Sequence, residues 1–493
     1  MFPDGKLILI LIAIYILIRL PLLSYLPFVQ DESIYSIMIQ EQAAHPTLIP
    51  TLFGYPMSWK PMLFFWTYSI ITHVTLALPI PIEAAFRLPS FLFGLLTVPL
   101  LYLVIKKVEP TGSRAVAFFS TIIFMFTLVS SYPQDALLLD SMMFFLMVCA
   151  LYLYIDSGNR LGSYRFLLAG ALVFVAFFVK LLLVFMVPVL ALTYIYLKDK
   201  FSIREPLFWI SLLAAPLAFV IHFMLLNSAG LSGELYSSEM TSHLVKDDIG
   251  ATMNAFIGSM THFIPGCGIW FALSLAGLWL YGRREPFMAV WYMFILFPLI
   301  SGNFMIWYYL PVMPAIAYFA ALTLVKHDGE ERLDKFFMII FSMMLLASVA
   351  LCLMVYATIY GDYMPQKDVG MMMAGKENVL VLGRYNPAIL TYKMLNEGSY
   401  GRVRDVGWIL EQKNMPKEDA GALIQDYHKQ VANMTDGSFS AMFTAQDWSF
   451  RKDTNITSFD YVVLVGQDAV MPGNYSVLYN KSNLTIYRLG VGG

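Results

Sequence analysis

Twelve apolar runs of some 15 to 25 residues fill the first 360 positions of this 493-residue chain. They lie at about 6–27, 61–79, 85–105, 115–131, 139–155, 165–179, 181–197, 207–227, 263–281, 286–302, 304–325 and 336–360. About twenty apolar residues wound as a helix cross a bilayer, because the helix bonds its own backbone where no water can. Charged residues are 13% of the chain, against about 25% in an average soluble domain. That pairing excludes a cytosolic enzyme, a coiled coil and a disordered chain, and predicts a polytopic α-helical membrane protein. A net charge of −2 offers no basic field for nucleic acid. Cys149, Cys267 and Cys352 sit in apolar runs without a CxxC spacing and read as free thiols. The first run lacks a small-residue cleavage site and reads as an uncleaved helix.

Lys and Arg in short loops set the orientation. The clusters Lys106/Lys107/Arg114, Arg160/Arg165, Lys198/Lys200/Arg204, Arg283/Arg284 and Lys326/Arg332/Lys335 are each separated by two apolar runs, so all five are expected on the cytoplasmic side. The run 61–79 opens with Lys60-Pro61, ends in Pro79-Ile80-Pro81 and carries His73. It is read as a juxtamembrane or re-entrant segment within a first outer loop, 28–84. About eleven crossings follow, with the N-terminus inside and the C-terminus outside. Residues 1–360 form a transmembrane domain on this reading. In 361–493 charge and Gly return, which predicts a small extracytoplasmic α/β domain. Asn378–Leu382 and Tyr461–Val465 read as buried strands, and Tyr475–Tyr479 with Leu484–Arg488 as a hairpin. Helical stretches are expected near 387–396 and 417–432. Five N-glycosylation acceptors, Asn433, Asn455, Asn474, Asn480 and Asn483, lie in this tail and none in the first 360 residues.

The chemistry is expected where polar residues resist this pattern. Asp31-Glu32 follow the first helix directly. If 31–44 is an amphipathic surface helix, Asp31 and Tyr35 share a face and Glu32 turns about 100° away. A plain helix N-cap by Asp31, with Glu32 at the positive helix end, is the alternative. Asp140, in Leu138-Leu139-Asp140-Ser141, opens a spanning run. Burial there costs about 2.5–3.5 kcal/mol unless the carboxylate has a partner. A cap is possible here too. Asp135 reads as a more exposed loop residue. Lys60, beside Trp59, and Lys180, between two runs, break the positive-inside pattern. They read as snorkelling side chains or as a cationic seat for a lipid phosphate. Arg87 can join them. Arg19 lies within the first helix and needs an internal partner. His243 and His262, in the long outer loop, make a weak metal signal.

Acids and cations thus converge on the outer membrane face beside an apolar wall. That suits a reaction on a lipid-borne anion, namely a sugar carried on a polyprenyl phosphate. A carboxylate can take the acceptor's hydroxyl proton, and positive charge can stabilise the departing phosphate. Asp31 and Asp140 with a phosphate can share Mg²⁺ or Mn²⁺, and lysines can do the same work, so a metal is left open. A lipid-linked-sugar transporter or flippase is the alternative. It calls for charges near the midplane and matched halves, whereas the acids here sit in outer loops. A receptor would leave Asp140 and Lys180 without purpose.

The ordered stretches Asp31-Glu32, Trp59-Lys60-Pro61, Phe86-Arg87-Leu88-Pro89-Ser90, Leu138-Leu139-Asp140-Ser141-Met142, Val179-Lys180 and Tyr308-Tyr309-Leu310-Pro311 resemble the GT-C glycosyltransferases, specifically the protein O-mannosyltransferase and aminoarabinose transferase superfamily. The resemblance covers about residues 1–325. It implies a membrane glycosyltransferase that takes a hexose such as mannose from a polyprenyl or dolichyl phosphate to a protein, glycan or lipid acceptor, with inversion. It implies Asp31 as general base, flanked by Glu32, with Asp140 supporting the same centre or a metal. Lys60, Lys180 and Arg87 would hold the lipid phosphate. Tyr35, Trp59, Asp135 and His243 would line the acceptor side. Protein mannosyltransferases carry an Arg five residues before the second Asp, where this chain has Asp135.

Overall fold

The computed structural model describes residues 3–52, 55–56, 60–157, 164–181, 183–198, 202–231, 249–299, 305–327, 330–331, 335–361, 363–374, 379–383, 388–389, 391–392, 461–465, 475–481 and 484–489. Among the described residues, six helices are long and apolar enough to cross a membrane: Asp4–Ser24, Ile82–Val108, Leu139–Asp156, Pro206–Ser228, Ile306–Val325 and Phe337–Thr358. Two bent pairs raise that to eight: Arg114–Phe126 with Leu128–Asp135 (65°), and Phe256–Cys267 with Ile269–Tyr281 (99°). Three shorter apolar helices, Tyr164–Phe177, Leu183–Lys198 and Pro286–Phe297, fall on the remaining runs expected to cross. Eleven spans would need all of them. The run 61–79 forms the helix Met62–Thr75, 14 residues long. At about 1.5 Å per residue it reaches about 21 Å, short of the ~30 Å hydrocarbon layer.

The chain divides into two compact units, one of Met1–Tyr25 with Ser58–Val355, the other of Leu26–Met57 with Tyr356–Gly493. The first unit is a helical bundle. Its working helices are α1 (Asp4–Arg19), α2 (Met62–Thr75), α3 (Ile82–Val108), α4 (Arg114–Phe126), α5 (Leu128–Asp135), α6 (Leu139–Asp156) and α7 (Tyr164–Phe177). Helix α6 packs between α3 and α7. The sharpest bend turns on Gly268, whose φ of +59° no side-chain-bearing residue adopts without strain. Nearby, Gly277 lets Ile269–Tyr281 approach Met313–Val325, since a Cβ there would lie 2.2 Å from the Phe319 carbonyl oxygen.

The basic clusters share one end of this bundle. Lys106 reaches Asp4 at 2.5 Å and Arg114 the same carboxylate at 3.1 Å. Asp156 joins Lys107 to Arg165. Lys326 holds Glu109 at 2.5 Å. Glu285, next to Arg283 and Arg284, feels the charges of Glu109, Lys198 and Lys326. Burial raises the Glu109 carboxyl pKa, but hydrogen bonds from Lys326, the Ser113 backbone and Thr111 outweigh it and hold the value below the ordinary one. Burial pushes Glu285 the other way, up to about 7. Helix α6 runs from this end, at Asp156, to Asp140 near its start, about 24 Å away along the axis.

In the second unit four strands form one sheet, β1 (Val379–Gly383), β2 (Tyr461–Val465), β3 (Tyr475–Lys481) and β4 (Leu484–Leu489), in the order β1-β2-β4-β3. β1 and β2 are parallel, and β4 runs antiparallel to both β2 and β3. Leu484 and Ile486 are buried, while Arg488 faces out. The four strands and the β3–β4 hairpin lie where their alternating and continuous apolar runs put them. The helices expected near 387–396 and 417–432 lie almost wholly outside the described residues.

The helix Gln30–Ala44 belongs to this unit. It is not an amphipathic surface helix: residues 32 through 42 are all buried. The backbone N–H of Phe28 donates to the Tyr392 hydroxyl at 2.8 Å, and the Thr391 hydroxyl donates to the Ser33 carbonyl at 3.0 Å. The Phe28 and Tyr392 rings stack at 5.6 Å. Contacts across more than 350 residues thus fasten the start of this helix, and no local pattern records them.

Candidate active site

Asp140 is the second residue of α6 and is 1% exposed. A carboxylate there sits at the positive end of the helix dipole. Its partner comes from the turn after α7. That helix closes with Val179 and Lys180 N–H both donating to the Ala176 carbonyl, which throws the Lys180 side chain back across the bundle. Lys180 Nζ donates to Asp140 Oδ1 at 2.6 Å. The same ammonium stands 3.9 Å from the centroid of the Tyr308 ring, on the 3-10 turn Ile306–Val312. Aromatic faces attract cations at this range. The Asp140 side chain is 2% exposed and that of Lys180 16%. The cation is therefore gripped on two sides, and its side chain keeps partial exposure. Neither the cap reading of Asp140 nor the snorkelling reading of Lys180 describes this arrangement.

The other cationic candidates lie in the same unit. The N–H of Leu63, at the start of α2, donates to the Phe178 carbonyl at 3.0 Å. That bond ties the segment bearing half-buried Lys60 to the turn bearing Lys180. Helix α2 is pinned to α3 by a 2.9 Å hydrogen bond between Tyr68 and Ser90. Arg87, three residues before Ser90, is wholly buried and donates to the Leu23 carbonyl at 3.3 Å. At least one of its donors thus serves the scaffold.

Asp135 corrects an expectation. It is not an exposed loop residue but ends α5, 2% exposed, in an ion pair with Arg19. Arg19 thereby finds the internal partner that its place in an apolar helix demands. Buried charge persists only when paired, and the sequence, which flagged each residue separately, carried no signal that they meet.

Asp31, Glu32 and Tyr35 lie in the second unit. The helix starts at Gln30 with Val29 in the cap position, so Asp31 falls in its first turn and does not cap it. Glu32 does the capping: its carboxylate, 0% exposed, accepts from the Val29 N–H at 3.1 Å. Tyr35 is buried and Asp31 half-buried. Trp59 and His243 lie outside the described residues, as do Asn433, Asn455, Asn474 and Asn483. Asn480 is exposed on β3, and His262 is exposed on the helix Ile249–Cys267. Among the described residues no three His, Cys, Asp or Glu side chains gather to hold a metal. At Asp140 the nearest partner is an ammonium, a poor fit to a resident divalent ion.

Residues 6–228 match the family model described as dolichyl-phosphate-mannose-protein mannosyltransferase. No curated protein matches the sequence. Among solved structures, ArnT from Cupriavidus metallidurans bound to undecaprenyl phosphate is 13% identical, with 97% of each chain covered and a TM-score of 0.61. The same protein in the apo state gives 14%, 98% of each chain and 0.61. The archaeal oligosaccharyltransferase AglB from Archaeoglobus fulgidus, in complex with an inhibitory peptide and a dolichol-phosphate, is 12% identical over 75% of this chain and 57% of its own, with a TM-score of 0.50. The fold is thus shared along nearly the whole chain, and the family's sequence pattern runs through the part that holds Lys60, Arg87, Asp140 and Lys180. The chain thus has the fold of ArnT over nearly its whole length, and residues 6–228 carry the sequence pattern of that mannosyltransferase family model.

Proposed function

We propose that this protein moves one sugar, a hexose such as mannose, from a polyprenyl or dolichyl phosphate to an acceptor hydroxyl on the extracytoplasmic side, with inversion at the sugar carbon. The observation that carries the reading is the Lys180 ammonium held between the Asp140 carboxylate and the Tyr308 ring, at the end of α6 opposite the basic clusters. The matched family's mannosyl-phosphate donor supports the choice of sugar. The undecaprenyl phosphate and dolichol-phosphate held by ArnT and AglB support a polyprenyl phosphate donor.

In this reading Lys180 and Lys60 face the donor phosphate, with Arg87 behind them. The acceptor oxygen bonds to the anomeric carbon as the bond from that carbon to the phosphate oxygen breaks. The hydroxyl proton passes to the Asp31 carboxylate, and the lipid phosphate leaves as an anion against the lysines. Glu32, bound to the Val29 N–H, holds the helix that presents Asp31. Residues 1–360 form the membrane domain and 361–493 the outer one, bearing the five acceptor asparagines.

Asp31→Asn is expected to abolish transfer, with thermal unfolding close to wild type. Asp140→Asn is expected to do the same through Lys180. Transfer by Asp31→Asn at the wild-type rate removes Asp31 as the base. Proteoliposomes that move the donor lipid across the bilayer, with no sugar transferred, support the flippase instead.

A further inference from the structure

The 65° bend between α4 and α5 exposes the carbonyls that end α4, which an unbroken helix would bond internally. Side chains take them up. The Thr127 hydroxyl donates to the Phe124 carbonyl at 3.2 Å, and the Cys352 thiol to the Phe126 carbonyl at 3.7 Å. Between them, the Met125 carbonyl accepts from one Arg19 nitrogen. The other nitrogen of the same guanidinium donates to Asp135 at the far end of α5. One side chain from α1 thus clamps both arms of the bend. Its planar fork is what allows that, since two rigidly spaced donors serve two acceptors at once.

Helix α5 leads straight into the site. The Ser141 hydroxyl donates to the Pro133 carbonyl at 2.6 Å, fastening the start of α6 to α5. Asp140 therefore lies between two residues whose place the clamp fixes, Asp135 before it and Ser141 after it. The Arg19 and Asp135 side chains are 4% and 1% exposed, so the clamp is sealed from the site's opening.

We infer that Arg19 is a positioning residue: by closing the α4–α5 bend it aims Asp140, and through Asp140 the Lys180 ammonium that seats the donor phosphate. This rests on the reading of Lys180 as the donor seat. Donor and acceptor kinetics and thermal unfolding of the purified full-length protein test it, with Arg19→Gln and Arg19→Lys each made alone and with Lys180→Ala.

Arg19→Gln is expected to lower kcat/KM for the donor about 100-fold, with the acceptor KM unchanged, since a misplacement of about 1 Å carries a cost of that order. Arg19→Lys keeps the charge toward Asp135 but not the fork, and is expected to lose about tenfold. In the Lys180→Ala background both changes should cost no more than about twofold, because the group they aim is gone. Wild-type donor kcat/KM in folded Arg19→Gln overturns the inference. So does an equal loss in both backgrounds, which marks Arg19 as scaffold only. If Arg19→Gln does not fold, Arg19→Lys decides the cycle alone. Lys180→Ala by itself reports on the donor seat, so full donor use in that variant sinks the underlying reading and leaves the clamp to be judged on Arg19→Lys in the native background.

Discussion

The two ends of the helical bundle are both held by ion pairs, and apart from the buried Lys326–Glu109 pair (12% and 0% exposed) those at the basic end are of the opposite kind to those at the other. At the basic end, Lys107 and Arg165 share Asp156, and Lys106 and Arg114 share Asp4. All six side chains of those pairs are between 23% and 43% exposed. At the other end the Asp140 and Asp135 side chains are 2% and 1% exposed, paired with Lys180 and Arg19. A solvated pair is worth about 0–1 kcal/mol. A buried pair must first repay a desolvation cost of several kcal/mol per ion, so apolar residues would often serve stability as well or better. The basic end therefore reads as anchorage. The buried pairs point to something beyond stability, and one of them holds the partly exposed lysine proposed as the donor seat.

Breaking Lys180–Asp140 should have the largest effect. Lys180→Ala strands a buried carboxylate and is expected to lower stability by about 3 kcal/mol and donor use by about 100-fold or more. Adding Asp140→Asn to it should restore much of the stability in thermal unfolding while transfer stays lost. A double variant that regains transfer along with stability would reduce the pair to scaffold, on a par with the basic end.

Glu285 gives the next largest effect and marks a second buried group at the basic end. Its folded-state pKa of about 7 lies above the ordinary 4.5 because burial disfavours the charge. The neutral form is thus favoured by folding. Stability from this group is fully present below about pH 4.5 and is lost as pH rises through about 7. Glu285→Gln should raise stability by roughly 2 kcal/mol above pH 7 and leave it unchanged near pH 4. An equal gain at both pH values would mean that the carboxylate is not the cause.

Lys107→Gln should have the smallest effect. It is expected to shift stability by less than about 1 kcal/mol, with most of that gone at high salt, and to leave transfer as it was. A large loss of transfer would break the contrast between the ends.

The apolar runs announced most of this architecture, because helices in a bilayer must be continuous and apolar whatever they pack against. The four strands of the tail were equally legible from alternation and from uninterrupted Val and Leu. The site was legible as separate residues. Asp140 and Lys180 stood out because each defied its surroundings. Their pairing did not, since 40 residues and a whole helix pair lie between them. Asp135 was misjudged because its neighbours in sequence are polar while its neighbour in space is Arg19. The burial of the helix that follows the first span was not legible, because contacts that fasten its start come from Thr391 and Tyr392, far along the chain.

Hydrophobicity and the spacing of Lys and Arg, read along one dimension, were enough to determine that this protein is a bundle of membrane helices with its basic loops together at one end. Solvent preference is a property of each segment taken alone. Which buried carboxylate met which cation was decided only by the tertiary structure. A charge in a low-dielectric interior is defined by its partner, and the partner comes from another helix.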